Sequence, residues 1–391
     1  MLEWEGERSY TAWNGLMTGD MHDEARRGTL ARRGLIREAV HDLAPYTPLP
    51  PIERLAEGVG LPVERILKLD QNENPYGPSL RVSEALASYD RFGLYPDPEG
   101  RTARTRLAAY VGMPVERLLL GNGADELIDL LYLLTLDAGD EVIVAPPTFG
   151  VYAARAPLFG GRVVNVPRRP DFGLDLDALA AAVTPRTKLV VVVSPNNPTG
   201  NTIDQERLVR LLGLGPLVVL DEAYIEFAQR SLVPLAREFD NLVVLRTLSQ
   251  WAGLAGLRLG YGIFPTELVP YLWQIKPPFN VNAAALLTVE ATLDDFSWVR
   301  GSVARLRVER GRLYRNLRKL NILQPYPSQG NFILCRVIHG EAARLRGRLA
   351  ELGIMVRGYE GELAGFLRIS VGRPEDTDTL MKALLSIAAR F

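Results

Sequence analysis

Five short apolar runs in the middle of this sequence are each followed by residues able to hold an anionic, aromatic ligand. After residues 118–120 comes Gly121-Asn122-Gly123-Ala124-Asp125-Glu126. Two glycines there allow a tight turn, and the free N–H groups of an opening helix suit a phosphate. The plain alternative is a strand-to-helix turn capped by Asp125. The spacing is not GxGxxG, because Glu126 stands where the third glycine would be, so a dinucleotide fingerprint is absent. After 141–145 comes Pro146-Pro147-Thr148-Phe149, which brings an aromatic ring to the mouth of the same sheet. After 188–193 comes Ser194-Pro195-Asn196-Asn197-Pro198-Thr199-Gly200, a loop whose amides can donate to a ligand oxygen or simply stiffen the turn. After 217–220 comes Asp221-Glu222-Ala223-Tyr224. A carboxylate at a buried strand end is costly unless paired, so Asp221 calls for a cationic partner unless water reaches it. After 242–245 come Thr247, Ser249 and Gln250, with Arg258 further on; two hydroxyls and a guanidinium make an anion site.

Those groups need a scaffold that brings strand ends together. The runs at 141–145, 162–166, 188–193, 217–220 and 242–245 are apolar without alternation, as strands buried on both faces are. Helical stretches at 101–111, 125–136, 176–182 and 203–212 lie among them, which implies right-handed crossovers in a parallel sheet. The run at 257–263 is left open in direction. In such sheets ligands bind beyond the carboxyl ends of the strands. After about residue 285 the pattern changes to a long helix over 296–320, strands at 331–336, 354–357 and 366–370, and a closing helix over 374–389. The expected fold is α/β: a large domain with a mostly parallel seven-stranded sheet flanked by helices, plus a smaller α+β domain built from the N-terminal segment and the C-terminal part. The expected boundaries are an arm over 1–45, a linker and small-domain segment over 46–95, the large domain over 96–285 and the small domain over 286–391. Prolines make 45–51 a linker, leading to a short helix over 52–57.

Composition narrows the class. The 391 residues carry a net charge of −1, which gives no electrostatic case for nucleic acid or an anionic membrane. One cysteine, Cys335, excludes an intrachain disulfide and a cysteine-built metal site, and fits a reducing, cytoplasmic compartment. With three histidines a histidine-rich metal centre is not expected either, and no metal is assigned. No apolar run approaches the roughly 20 residues that span a bilayer. The opening MLEWEGERSY lacks the apolar stretch of a secretory signal, and Met17 and Met21 leave a later natural start open. His22 falls in the arm, His339 reads as a loop residue, Cys335 as core, and the arginines of 304–318 as a wet helix face.

Taken in order, several strings resemble the pyridoxal-phosphate enzymes of the aspartate-aminotransferase fold type, and among them the histidinol-phosphate aminotransferases. They are LDQNENPYGP (69–78), YPDP (95–98), GNGADE, SPNNPTG, DEAYIEF, the 249–261 stretch, PPFNVN (277–282) and LRISVG (367–372). The resemblance implies pyridoxal 5'-phosphate as cofactor, with its phosphate held by the amides of Ala124 and Asp125 and by Ser249, Arg258 and Thr247. It implies Phe149 stacked on the pyridine ring, Asn197 and Tyr224 on the ring's phenolic oxygen, and Asp221 against the ring nitrogen. An anion there raises the proton affinity of that nitrogen, and the protonated ring takes up the electron pair released at the substrate carbon. Tyr95 would reach the phosphate, and Tyr76 the substrate, from a second subunit, making a homodimer with shared sites. Arg368, with Arg357 beside it and Asn331 on the same side, would bind the anionic end of an amino donor or a 2-oxo acid. The implied reaction moves an amino group between L-histidinol phosphate and 2-oxoglutarate, in histidine biosynthesis.

One position departs from that pattern. The family has a Schiff-base lysine after Ser249, and this chain has Gln250. A carboxamide forms no Schiff base and is no proton shuttle near neutral pH. The lysines present are Lys68, Lys188, Lys276, Lys319 and Lys382, of which Lys276 alone reads as near the pocket. Gln250 is either a replacement or an error in an otherwise competent transaminase, or a natural loss; intact contacts elsewhere favour the first two. The alternatives kept open are a phosphothreonine-type decarboxylase and a non-catalytic binder of the cofactor.

Overall fold

A computed structural model of the chain describes residues 34–37, 40 and 49–389. The readings of the 1–45 arm, His22 and most of the proline linker lie outside the described residues. Two sheets organise the rest. The larger comprises β2 (Leu118–Asn122), β3 (Glu141–Val144), β4 (Arg162–Asn165), β5 (Thr187–Val193), β6 (Leu217–Asp221), β7 (Leu242–Thr247) and β8 (Leu259–Ile263). Their order is β2-β8-β7-β6-β5-β3-β4. β8 runs antiparallel to both its neighbours, which settles the strand whose direction the sequence left open. The remaining pairings are parallel. Helices Arg101–Val111, Ala124–Thr135, Leu176–Ala182 and Gln205–Leu212 follow the expected crossovers within a few residues. β5, β6 and β7 are buried almost throughout, as unalternating strands covered on both faces must be.

The smaller sheet takes β1 (Leu67–Leu69), β9 (Leu323–Pro325), β10 (Phe332–Val337), β11 (Ile354–Gly358) and β12 (Phe366–Ser370), in the order β1-β11-β12-β10-β9. β1, distant in sequence, pairs in parallel with β11, while the others are antiparallel. Helix Ala283–Asp294 packs against helices Leu80–Ala87 and Arg101–Val111. Cys335 is fully buried and His339 lies in an exposed turn, as read. The wet-face reading fails at Arg310: this arginine is half-buried and donates to the carbonyls of Phe227 and Gly330 (3.1 and 2.8 Å), strapping helix Phe296–Leu317 to both sheets' loops. Among the described residues no helix is long and apolar enough to cross a membrane, and no cluster of His, Cys, Asp or Glu could hold a metal.

Candidate active site

Asp221 ends β6 with 5% of its surface exposed. Its Oδ2 accepts from the phenol of Tyr152 at 2.9 Å, and its Oδ1 from the amide of Ala223 at 2.9 Å. The cation that the sequence called for is absent among the described residues, so both partners are neutral. Burial pushes this carboxyl up to about 6, against the pull of the two donors, and the charges of Asp125 and Glu222 add to the rise. A buried carboxylate with neutral partners and spare lone pairs is a socket for a cationic or N–H-bearing ligand.

The anion-binding end forms where β2 turns into helix Ala124–Thr135. Gly123 precedes the helix at φ 82, so it takes the cap position and Asp125 falls in the first turn, not at the cap as the plain reading had it. The opening turn leaves amides without helical partners at the positive end of the helix dipole. β8 presses close here: a Cβ on Gly260 would lie 2.3 Å from the nitrogen of Ala124. From β7 the hydroxyl of Thr247 donates to Ser249 Oγ at 2.9 Å. Arg258, at φ 53, reaches Ser249 Oγ (3.3 Å) and Asp125 Oδ2 (3.4 Å). Ala124, Asp125, Thr247, Ser249 and Arg258, collected from three strand ends, therefore share one small region. Phe149 stands edge-on to Tyr152, ring centroids 6.2 Å apart.

A polar bridge joins this region to the smaller sheet. The phenol oxygen of Tyr224 accepts from Asn72 Nδ2 (3.1 Å) and Asn197 Nδ2 (3.5 Å). Arg368 Nη1 donates to Asn197 Oδ1 at 2.7 Å, and Nη2 donates to the carbonyl of Asp70. Asn72 was named only as part of a motif, yet it is a hub. It sits at φ 59, donates its amide to Ser370 Oγ (2.9 Å) and accepts from Asn331 Nδ2 at its carbonyl (2.7 Å). An asparagine flanked by polar residues before a Pro-Tyr-Gly turn is the available signal, since Asn tolerates the left-handed region.

Arg357 and Arg368 stand directly opposite each other on β11 and β12. Like charges in that register repel, and Arg357 forms no ion pair with a described residue. Tyr359 sits in the field of both arginines, and burial raises its phenol while they lower it. The buried atoms Arg368 Nε, Tyr359 Oη, Asn331 Oδ1 and Gln250 Oε1 all lack hydrogen-bond partners. Two unneutralised guanidiniums with spare donors make an anion receptor. Gln250 follows Ser249 on a loop pinned by Trp251, whose indole donates to the carbonyl of Thr247 at 2.7 Å.

Three residues singled out in the sequence have partners of their own in this chain. Tyr95 is 83% exposed and stacks on Phe279 at 4.6 Å. Tyr76 lies against Arg305 and Arg373, at 4.3 and 5.4 Å. The amine of Lys276 is taken up by Asn280 Oδ1 (2.7 Å) and the carbonyl of Pro277 (3.0 Å), so it does not stand in for a missing lysine at 250.

Comparison with known proteins agrees with this geometry. Residues 64–384 match the family described as aminotransferase class I and II. A histidinol-phosphate aminotransferase from Roseiflexus castenholzii is 47% identical over 365 residues, covering 91% of this chain and 98% of that protein. A chloroplastic histidinol-phosphate aminotransferase from Nicotiana plumbaginifolia is 46% identical, covering 89% of this chain and 86% of the relative. A crystal structure of histidinol-phosphate aminotransferase from Sinorhizobium meliloti, in complex with pyridoxal-5'-phosphate, superposes with a TM-score of 0.82 at 27% identity, covering 91% of this chain and 98% of that one. With a matched region running through both sheets and relatives 46–47% identical over most of its length, the chain belongs to the class I and II aminotransferase family.

Proposed function

We propose that this chain is a histidinol-phosphate aminotransferase scaffold that binds pyridoxal 5'-phosphate and exchanges an amino group between L-histidinol phosphate and 2-oxoglutarate, in histidine biosynthesis. The observation that carries the cofactor reading is Asp221: a buried carboxylate with only neutral donors, and with acceptor capacity to spare, fits a protonated ring nitrogen. The helix opening at Ala124, with Ser249, Thr247 and Arg258, fits the phosphate. When bound, pyridoxal phosphate supplies the sink for the electron pair released at the carbon bearing the amino group.

The residues of the chain then have separable tasks. Asp221 favours the protonated ring nitrogen by its charge. Tyr224 and Asn197 position the ring's phenolic oxygen, and Phe149 covers the ring. Arg368 and Arg357 neutralise and orient the anionic end, phosphate in one half-reaction and carboxylate in the other. The names of the relatives support the donor. Tyr95 and Tyr76 are assigned to the neighbouring site of a homodimer; the exposed Phe92, Leu94 and Tyr95, 59, 65 and 83% accessible, support an interface there. The single free, buried thiol supports a reducing compartment such as the cytoplasm.

At Gln250 the expected amine is missing, so the chain holds its cofactor without a covalent link and turns over slowly. Losing positioned acid–base catalysis costs on the order of 10² to 10⁴ in rate, before the covalent contribution is counted. Borohydride treatment followed by mass measurement should leave every lysine unlabelled; labelling of Lys276 overturns this account. Gln250→Lys should become reducible onto residue 250 and transaminate histidinol phosphate. Profiling that variant in parallel with phosphothreonine, and watching for carbon dioxide, separates the decarboxylase reading. Failure of both activities favours a non-catalytic binder, against which stand Arg357 and Arg368, which a cofactor carrier does not need.

A further inference from the structure

Tyr152 lies in a five-residue helix, Val151–Arg155, with 1% of its surface exposed. It is held from two directions. The hydroxyl of Tyr132 donates to its carbonyl at 2.9 Å, and Arg155, three residues on, forms a forked pair with Asp129 of helix Ala124–Thr135. Its own hydroxyl has one partner, Oδ2 of Asp221. A phenol so fixed can only donate there, because its neighbour is an acceptor-only carboxylate when ionised. Nothing in the resemblance or in the motif strings assigns Tyr152 a role.

We propose that Tyr152 is a positioning residue for the cofactor: its fixed hydroxyl donates to Asp221 Oδ2, keeping that carboxylate anionic and turned so that it can serve the ring nitrogen. The proposal rests on the cofactor reading above. The other groups acting on Asp221 are the amide of Ala223, which helps, and Asp125 and Glu222, whose charges oppose ionisation; Tyr224 lies beyond them in the same field. Burial outweighs both donors, so Asp221 already sits only about a unit below neutral pH. Removing one of its two donors shifts the protonated form into the working range. A charge-assisted hydrogen bond is worth about 10- to 100-fold in an equilibrium. Tyr152 itself stays protonated, since burial and then the Asp221 charge hold its phenol far above the usual range.

The test uses the full chain with pyridoxal 5'-phosphate carrying ¹⁵N in its ring, comparing wild type, Tyr152→Phe, Tyr132→Phe and Asp221→Asn. Two quantities are read as functions of pH: the dissociation constant by fluorescence titration, and the ring ¹⁵N shift of the bound cofactor. In Tyr152→Phe, affinity at pH 7 should fall about 10- to 100-fold, and the drop on acidification should begin at higher pH. The ¹⁵N shift should move toward the unprotonated position seen with Asp221→Asn. Tyr132→Phe loses a hydrogen bond to the same segment without touching Asp221, and should keep the wild-type shift. A Tyr152→Phe protein that loses affinity equally at all pH values, with its ¹⁵N signal unmoved, reduces Tyr152 to packing and overturns the proposal. Should Tyr152→Phe fail to fold, the wild-type signal decides: a bound ring nitrogen unprotonated at pH 7 refutes an anionic Asp221. If wild type binds no pyridoxal phosphate, the cofactor reading falls, and this inference with it; if wild type binds and the variant matches it, only the inference falls.

Discussion

Asp221 and Glu222 are consecutive carboxylates at the end of one strand, both buried, and they are treated in opposite ways. Glu222, 1% exposed, receives Arg246 through Nη2 and Nε (2.7 and 3.0 Å), the hydroxyl of Ser231 and the amide of Leu232 (2.8 Å). Asp221 receives a phenol and one amide. Successive side chains of a strand point to opposite faces, so one strand end offers a saturated ion pair on one side and an unfinished one on the other. The saturated pair is structural: it welds β6 to β7 and the 231–232 turn. The other has two neutral donors and acceptor capacity beyond them. A buried charge lacking its counter-charge therefore marks the site, whereas a neutralised one marks the frame.

Breaking the frame should have the largest effect. Arg246→Met leaves Glu222 buried and uncompensated, and should lower unfolding stability by about 3–5 kcal/mol, seen as a fall in the urea midpoint with or without cofactor.

Breaking the site should do the reverse to the bare fold. Above its ordinary range, Asp221 carries a burial penalty only while ionised. Its folded value of about 6 exceeds the unfolded value of 3.8, so the penalty is absent below 3.8, grows as pH rises between the two values and is complete above 6. Asp221→Asn should therefore stabilise the cofactor-free chain by on the order of 1–3 kcal/mol at pH 7.5, by about half as much at pH 5, and not at all below pH 3.8. The same variant should lose most of the thermal shift that pyridoxal phosphate gives the wild type. A destabilised Asn variant at pH 7.5 would erase the contrast between the two carboxylates.

A comparable effect belongs to Glu226, the third acid of the cluster. It lies 3.7 Å from Arg246, accepts from Tyr110 at 3.3 Å, and leaves Oε2 without a partner. Burial raises it to about 7, against the charge of Arg246. Glu226→Gln should stabilise the chain at pH 7 by on the order of 1–3 kcal/mol and flatten its dependence on pH between about 4.5 and 7, measurable in parallel melts.

The larger sheet was legible because its signals are local. A β-rich apolar run followed by Asp221, or by Thr247 and Ser249, needs no knowledge of the rest of the chain. What escaped depends on distance along the sequence. Tyr152 and Asp221 are separated by 69 residues, and Asn72 and Tyr224 by 152. No periodicity connects such pairs, and Tyr152 looks like any other apolar position of a short helix. The sequence called for a cationic partner at Asp221 but could not show that its protein partners are a phenol and an amide. Arg310 was taken as solvated because helix spacing cannot show which arginines end on a carbonyl.

Asn197 is wired at both ends, its oxygen to Arg368 and its nitrogen toward Tyr224. An amide cannot rotate by half a turn without exchanging donor for acceptor, so its orientation is fixed by the two neighbours jointly. With the guanidinium on its oxygen, Asn197 is left to present its nitrogen to the tyrosine's hydroxyl. One small side chain thus ties a strand of the lesser sheet to a loop of the greater one, and the two cannot be repositioned independently.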